Sequence, residues 1–282
     1  MPLRKVRRLL ASIKETSLLG LANDSTRQVF GVEAAKTSVA RLLQKTRHID
    51  RNQNEFAERI AGQGFVVVEN FLPESTFNVV KSEAFSLLDA DEQENNHTGC
   101  NEQSKVVDLL EESDEFLPGL YGYLQNEELG HMIQSIEGRK IEPLSGRRVL
   151  ERLCFGEKKP EDGGCQLYAD TFFHSHEAWL FLEDVGEDNG ALVYVPKSHR
   201  YNLCQMKFQY LEGSTSKQGA RPISQKELKE SGLKKTVVSA KASTLVVFNS
   251  AGYHCRLNGN ANTRRLAIHT SYRTNPLSRD VS

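Results

Sequence analysis

Apolar residues recur with two different periods along this chain, and the period changes near residue 148. Upstream the spacing is helical. Leu3, Val6, Leu10 and Ile13 fall three or four apart, with Arg4, Lys5, Arg7, Arg8 and Lys14 on the remaining faces. That pattern predicts a basic amphipathic helix from residue 3 to about residue 20. Residues 21 to 60 carry a looser helical pattern, which Gly62-Gln63-Gly64 interrupts, and Phe65-Val66-Val67-Val68-Glu69 predicts a short β-branched strand. Pro73 suits a first helical turn, and Phe77, Val80, Ala84 and Leu88 then make an apolar stripe on one helix. Asp89 to Lys105 is rich in Asp, Glu, Asn and Gln and predicts a surface excursion.

From Arg148 onward the texture is that of short strands: Val149 to Cys154, Gln166 to Asp170, Ala178 to Leu182, Ala191 to Val195, Thr236 to Ala240, Thr244 to Phe248 and Leu266 to Tyr272. Turn chemistry separates them, as at Gly163-Gly164 and Glu187-Asp188-Asn189-Gly190. Such a series predicts a sandwich or barrel rather than a parallel sheet. Residues 207 to 235 form a polar insertion, a candidate lid or substrate loop, in which Ser224 could cap a short helix over Gln225 to Glu230. The expected organisation is a helical extension over residues 1–60 packed on a single β domain over residues 61–282.

Charge narrows the function classes. The 282 residues hold 36 Lys and Arg against 37 Asp and Glu, a formal net charge of -1. Phosphate backbones are bound by concentrated basic charge, so this balance argues for no nucleic-acid partner and for a small-molecule substrate. The five cysteines, Cys100, Cys154, Cys165, Cys204 and Cys255, are odd in number and lack any Cys-x-x-Cys pair, which favours reduced thiols and a cytoplasmic location. No run approaches the roughly 18 apolar residues of a spanning helix. The basic start lacks the apolar segment of a secretory signal, so a docked helix is expected there, with weak contact to an anionic membrane surface as the alternative.

Chemistry concentrates in two places. The first is Tyr168-Ala169-Asp170-Thr171-Phe172-Phe173-His174-Ser175-His176-Glu177-Ala178-Trp179; the second is Asn249-Ser250-Ala251-Gly252-Tyr253-His254, followed by Arg264-Arg265. An iron(II) ion that must accept both a 2-oxo acid and dioxygen needs a protein face of only three ligands, which two imidazoles and a carboxylate supply. An arginine beyond them can grip a distal carboxylate through two parallel hydrogen bonds.

These residues resemble the phytanoyl-CoA dioxygenase family. Asp170 stands in a His-x-Asp pair, Glu187-Asp188-Asn189-Gly190-Ala191-Leu192 in an acidic-Asn-Gly hairpin, and Pro196-Lys197-Ser198-His199 in a turn; His254 is the distal histidine, with Arg265 eleven positions beyond it. The likeness covers residues 148 to 275, with an echo at Gly64 to Val68 and Phe71-Leu72-Pro73. It implies a double-stranded β-helix, or jelly roll, flanked by helices. It also implies iron(II) on Asp170 and His254, 2-oxoglutarate as cosubstrate on Arg265 and Trp179, and hydroxylation of an aliphatic carbon in a small molecule.

The family's first histidine is Tyr168 here. A phenol, with an ordinary pKa near ~10, must lose its proton before it can ligate well. Three arrangements follow from the residues: Tyr168 ligates weakly or turns away while His174 or His176 substitutes; Asp170 and His254 hold iron with water; or the metal is lost and the jelly roll serves as a binding or regulatory protein. His174 and His176 share a face of an extended segment. With Glu177 and His254 they could also form a cupin-like site for another divalent metal. Taken singly, Asp170 could cap a turn, His254 could be a surface histidine and Trp179 could be core packing. His199 reads as structural. Arg264 and Arg265 are adjacent on a strand and therefore face opposite sides, which directs Arg264 to solvent or an acidic partner.

Overall fold

The computed structural model describes residues 32–45, 55–90, 95–96, 102–110, 117–137, 146–157, 165–171, 173–200 and 221–272. The basic segment over residues 3 to 20 and the first part of the polar insertion, residues 207–220, lie outside them. In chain order the elements are α1 (Val32–Lys45), α2 (Glu55–Gln63), β1 (Phe65–Val68), α3 (Glu74–Ala90), β2 (Asn95–Asn96), β3 (Glu102–Asp108), α4 (Pro118–Leu124) and α5 (Glu127–Glu137). There follow β4 (Arg147–Phe155), β5 (Tyr168–Ala169), β6 (His176–Phe181), β7 (Leu192–Tyr194), β8 (Arg221–Pro222), α6 (Gln225–Ser231), β9 (Thr236–Val238), β10 (Leu245–Asn249), β11 (His254–Arg256) and β12 (Thr263–Tyr272).

The strands pair antiparallel in two sheets, one of seven in the order β1-β10-β6-β12-β4-β3-β2 and one of five in the order β8-β5-β11-β7-β9. This is a jelly roll with flanking helices. Side-chain alternation along the larger sheet divides its residues between two environments. Ala178, Leu180, Leu245, Val247, Leu266 and Ile268 face outward and pack on the helices, where Val80, Ala84 and Leu88 of α3 are fully buried beside Leu120 and Ile133. The stripe read from the sequence is therefore the face that docks α3. Phe181, Val246, Phe248 and Ala267 face inward, meeting Leu192 and Tyr194 of the smaller sheet. A third cluster, with Leu167, Val193, Val195, Ile223 and Leu228, covers the other face of the smaller sheet next to α6. Ser224 caps α6 in a reciprocal box with Glu227, and Gly232 ends it in the left-handed region at φ 69°.

Two expectations are corrected here. Asp89 to Lys105 is not simply a surface excursion: β3 runs antiparallel along β4 from Glu102 opposite Phe155 to Asp108 opposite Val149. Its polar sequence hides it, because Ser104 and Lys105 are buried by means other than apolar contact. The Lys105 ammonium donates to the Leu88 carbonyl in the last turn of α3, where a cation is favoured. Nor are all thiols reduced. Cys165 and Cys255 form a disulfide with Cα atoms 5.9 Å apart across 90 residues of chain, a pairing that no short spacing announces. It ties the approach to β5 to β11.

Candidate active site

Asp170 and His254 meet because two short strands and one loop are fastened together. β5 and β11 pair with Tyr168 opposite His254, and His254 in turn lies opposite Tyr194 of β7. The Asp170 amide donates to the Ser250 carbonyl at 2.9 Å, and the Ser250 amide donates to Ser175 at 2.8 Å. The turn anticipated at Pro196 to His199 adds a further tether, since Ser198 Oγ accepts the Tyr253 amide at 2.7 Å. Tyr194 Oη donates to the Asn249 carbonyl at 2.9 Å.

The outcome is an Asp170 Oδ2 to His254 Nε2 distance of 3.7 Å, with side-chain exposures of 16% and 5%. His254 Nδ1 lies 2.9 Å from the Gly252 carbonyl. A carbonyl only accepts, so Nδ1 carries the proton, and in the neutral ring the Nε2 lone pair points toward Asp170. A lone pair and a carboxylate at this separation repel unless a cation lies with them. The pair is suited to a metal ion. Phe248 and Tyr194 wall His254, with ring centroids at 5.0 and 6.5 Å.

Tyr168 lies on β5 opposite His254, its ring centroid 4.8 Å from that of His254. The other candidates are placed elsewhere. His176 points outward, its Nδ1 2.6 Å from Glu137 Oε1 of α5, and both side chains are 4% exposed. Glu177 points inward but binds His269 Nε2 at 2.9 Å. His174 takes a hydrogen bond from Asn249 Nδ2 at 2.8 Å, and Gln44 of α1 holds its backbone on both sides. The Asn249 amide is oriented by its other end, because Oδ1 accepts the Ala251 amide at 3.1 Å. His174 Nδ1 is therefore an acceptor, and burial, with Arg41, His176 and His199 nearby, holds the ring well below the usual histidine range. Among the described residues no group of three His, Cys, Asp or Glu side chains converges. His174, His176 and Glu177 are thus each engaged by other partners, Asn249, Glu137 and His269.

Arg265 is inward and 2% exposed. Its guanidinium lies over the Trp179 ring at 4.4 Å, one terminal nitrogen donates to the Gly190 carbonyl at 3.2 Å, and the other is bonded to Glu151 of β4. Glu151 was not legible as a site residue. Burial would raise its pKa, but Arg265, Arg256 and His269 outweigh burial and hold it below the usual range. The one available signal was a charge between Val149 and Leu153, apolar residues on the same face of β4, since Glu151 pairs with Ala267 in the core. Arg264 turns outward onto Glu183 at 2.9 Å.

His199 is structural: its Nε2 lies 3.3 Å from the Ala61 carbonyl at the end of α2, where Arg200 also donates. Burial pushes its pKa down from 6.5 to about 4. The unfolded chain therefore takes the proton first, so stability present above pH 6.5 is lost as pH falls toward 4, by roughly 3 kcal/mol. Melting curves across this range should show that loss, and His199→Gln should flatten it in part, His174 contributing with the same sign. Gly252 is a second constraint. A Cβ there would lie 2.0 Å from Tyr194 Oη. Gly252→Ala is expected to displace the carbonyl that orients His254 and to weaken iron(II) binding about tenfold or more, as calorimetric titration would read.

Comparison with known proteins gives the family. The phytanoyl-CoA dioxygenase (PhyH) family profile matches residues 60–255, a stretch that includes Asp170, His254, Tyr168, Trp179 and Glu151. The chain belongs to the phytanoyl-CoA dioxygenase family. As a member it is a non-haem iron, 2-oxoglutarate-dependent oxygenase, with iron(II) as cofactor and 2-oxoglutarate as cosubstrate. No curated protein matches in sequence. Solved structures share the fold. The epimerase SnoN, in complex with Fe3+, alpha ketoglutarate and nogalamycin RO, is 18% identical, with TM-score 0.57 over 77% of this chain and 81% of that one. EctD from S. alaskensis with bound Fe is 14% identical, with TM-score 0.55 over 77% and 75%. HygX from Streptomyces hygroscopicus with nickel and 2-oxoglutarate is 14% identical, with TM-score 0.51 over 78% and 86%. Among the described residues no helix is long and apolar enough to cross a membrane.

Proposed function

We propose that this family member hydroxylates an aliphatic carbon of a small molecule at an atypical iron site, in which Asp170 and His254 are the protein's two strong ligands and Tyr168 stands at the third position. The observation that carries the proposal is the Asp170 carboxylate and His254 Nε2 brought together at 3.7 Å, with Nδ1 turned to the Gly252 carbonyl. Bound iron(II) with 2-oxoglutarate would supply dioxygen activation and the oxidation of a C–H bond. The chain's own residues would do the rest. Asp170 contributes the charge that neutralises the cation, and the Gly252 carbonyl fixes the His254 tautomer. Phe248 and Tyr194 exclude water around that imidazole. Arg265, held over the Trp179 ring, would receive the distal carboxylate of the cosubstrate. A small-molecule substrate accords with neighbours whose structures hold nogalamycin RO and hygromycin B.

The test is succinate release from 2-oxoglutarate in air by iron-reconstituted protein. Release that Asp170→Ala abolishes is expected. Equal background release from wild type and Asp170→Ala would instead make the jelly roll a binding or regulatory protein.

A further inference from the structure

Arg265 offers an unusual seat for an incoming carboxylate, because a carboxylate of this chain already sits on it. One terminal nitrogen of its guanidinium is engaged by Glu151 and the other by the Gly190 carbonyl. A two-pronged grip that used the Glu151-bonded nitrogen would have to share it with a second carboxylate. Two carboxylates on one guanidinium would also bring like charges together inside a core where Arg265 is 2% exposed. That repulsion is relieved if either Arg265 or Glu151 moves when a dicarboxylate enters. Arg265 cannot: it is stacked on Trp179 at 4.4 Å and sealed by the sheet. Glu151 can, since its side chain is 24% exposed. It also has another cation to turn to, because Arg256 acts on it as well. Arg256 lies on the facing sheet, over the Phe155 ring at 5.6 Å.

We propose that Glu151 is a resident carboxylate holding the cosubstrate's place on Arg265, so that 2-oxoglutarate binds by displacing it and Glu151 sets both the affinity and the selectivity of the cosubstrate site. The proposal rests on Arg265 being the anchor for the distal carboxylate. Selectivity follows from the same competition. Only a 2-oxo acid with a second carboxylate must evict Glu151, so neutralising Glu151 should help 2-oxoglutarate and leave a monocarboxylate of equal length, 2-oxopentanoate, unaffected. The alternative role for Glu151, holding Arg265 in position for the cosubstrate, predicts the opposite sign.

Trp179 is the only tryptophan in the chain and carries the Arg265 guanidinium on its ring, so its emission reports directly on the seat. The experiment is anaerobic titration of the iron(II)-loaded protein with 2-oxoglutarate and separately with 2-oxopentanoate, read by this fluorescence, for wild type, Glu151→Gln, Glu151→Asp and Arg265→Leu. Glu151→Gln should bind 2-oxoglutarate at least tenfold more tightly than wild type, with no gain for 2-oxopentanoate. Glu151→Asp, which keeps the charge, should gain less and guards against a folding artefact in the Gln variant. Unchanged or weaker 2-oxoglutarate binding in Glu151→Gln, together with loss of binding in Arg265→Leu, overturns the proposal while leaving Arg265 as the anchor. Wild-type affinity in Arg265→Leu removes the anchor itself, and the proposal with it.

Discussion

Asp170→Ala and His254→Ala are each expected to weaken iron(II) binding by at least about 100-fold while leaving the melting temperature near that of the wild type. Losing an outer-shell partner of a metal site commonly costs 10–100-fold, and loss of one of only two strong ligands exceeds that. The fold should survive because what fastens this corner is mostly backbone: the Asp170 amide on Ser250, the Ser250 amide on Ser175 and the Tyr253 amide on Ser198. Neither variant removes those bonds. Conversely, Tyr168→His puts an imidazole on the strand position opposite His254, and should tighten iron(II) binding at least tenfold by completing two imidazoles and a carboxylate. Equilibrium dialysis under anaerobic conditions, with melting curves in parallel, reads both effects. Tight binding retained in His254→Ala would place the metal elsewhere.

The second large effect is on stability. The Cys165–Cys255 disulfide closes a loop across 90 residues, and disulfides of this kind contribute about 2–4 kcal/mol, chiefly by restricting the unfolded chain in the entropic account. Cys165→Ser with Cys255→Ser should lower the unfolding free energy by that amount in denaturant titration, and a reductant should lower the wild type but not the double variant. Alkylation of the denatured, unreduced wild type should find two fewer thiols than after reduction. Equal thiol counts would show that the pair is not bonded in the purified protein. Because Cys255 faces the outer cluster with Leu167 and Val193 while His254 faces inward, the stability loss should exceed any loss of iron affinity.

Much of this was legible because strand alternation and helical stripes are local. The inward or outward sense of Arg264 and Arg265 followed from adjacency on a strand, and the structure turns Arg264 onto Glu183. Phe77, Val80, Ala84 and Leu88 read as one face and are buried as one. The cap at Ser224 was likewise visible in a few residues. What was not legible depends on partners distant in sequence. His176 looked like a candidate ligand until Glu137, 39 residues away, took it to the outer face. Glu151 lies 114 residues from Arg265, and nothing in its neighbours announces that pairing. The strand at Glu102–Asp108 escaped because its buried positions include Ser104 and Lys105, so composition suggested a loop.

The central claim is that Asp170 and His254 still make a working iron site with tyrosine in place of the first histidine. The most direct measurement is anaerobic addition of iron(II) and then 2-oxoglutarate to the wild type, followed by its visible charge-transfer absorption. A stoichiometric band that vanishes in Asp170→Ala and His254→Ala is predicted. Absence of the band in the wild type with its appearance in Tyr168→His would contradict the claim and show that Tyr168 has cost the protein its metal.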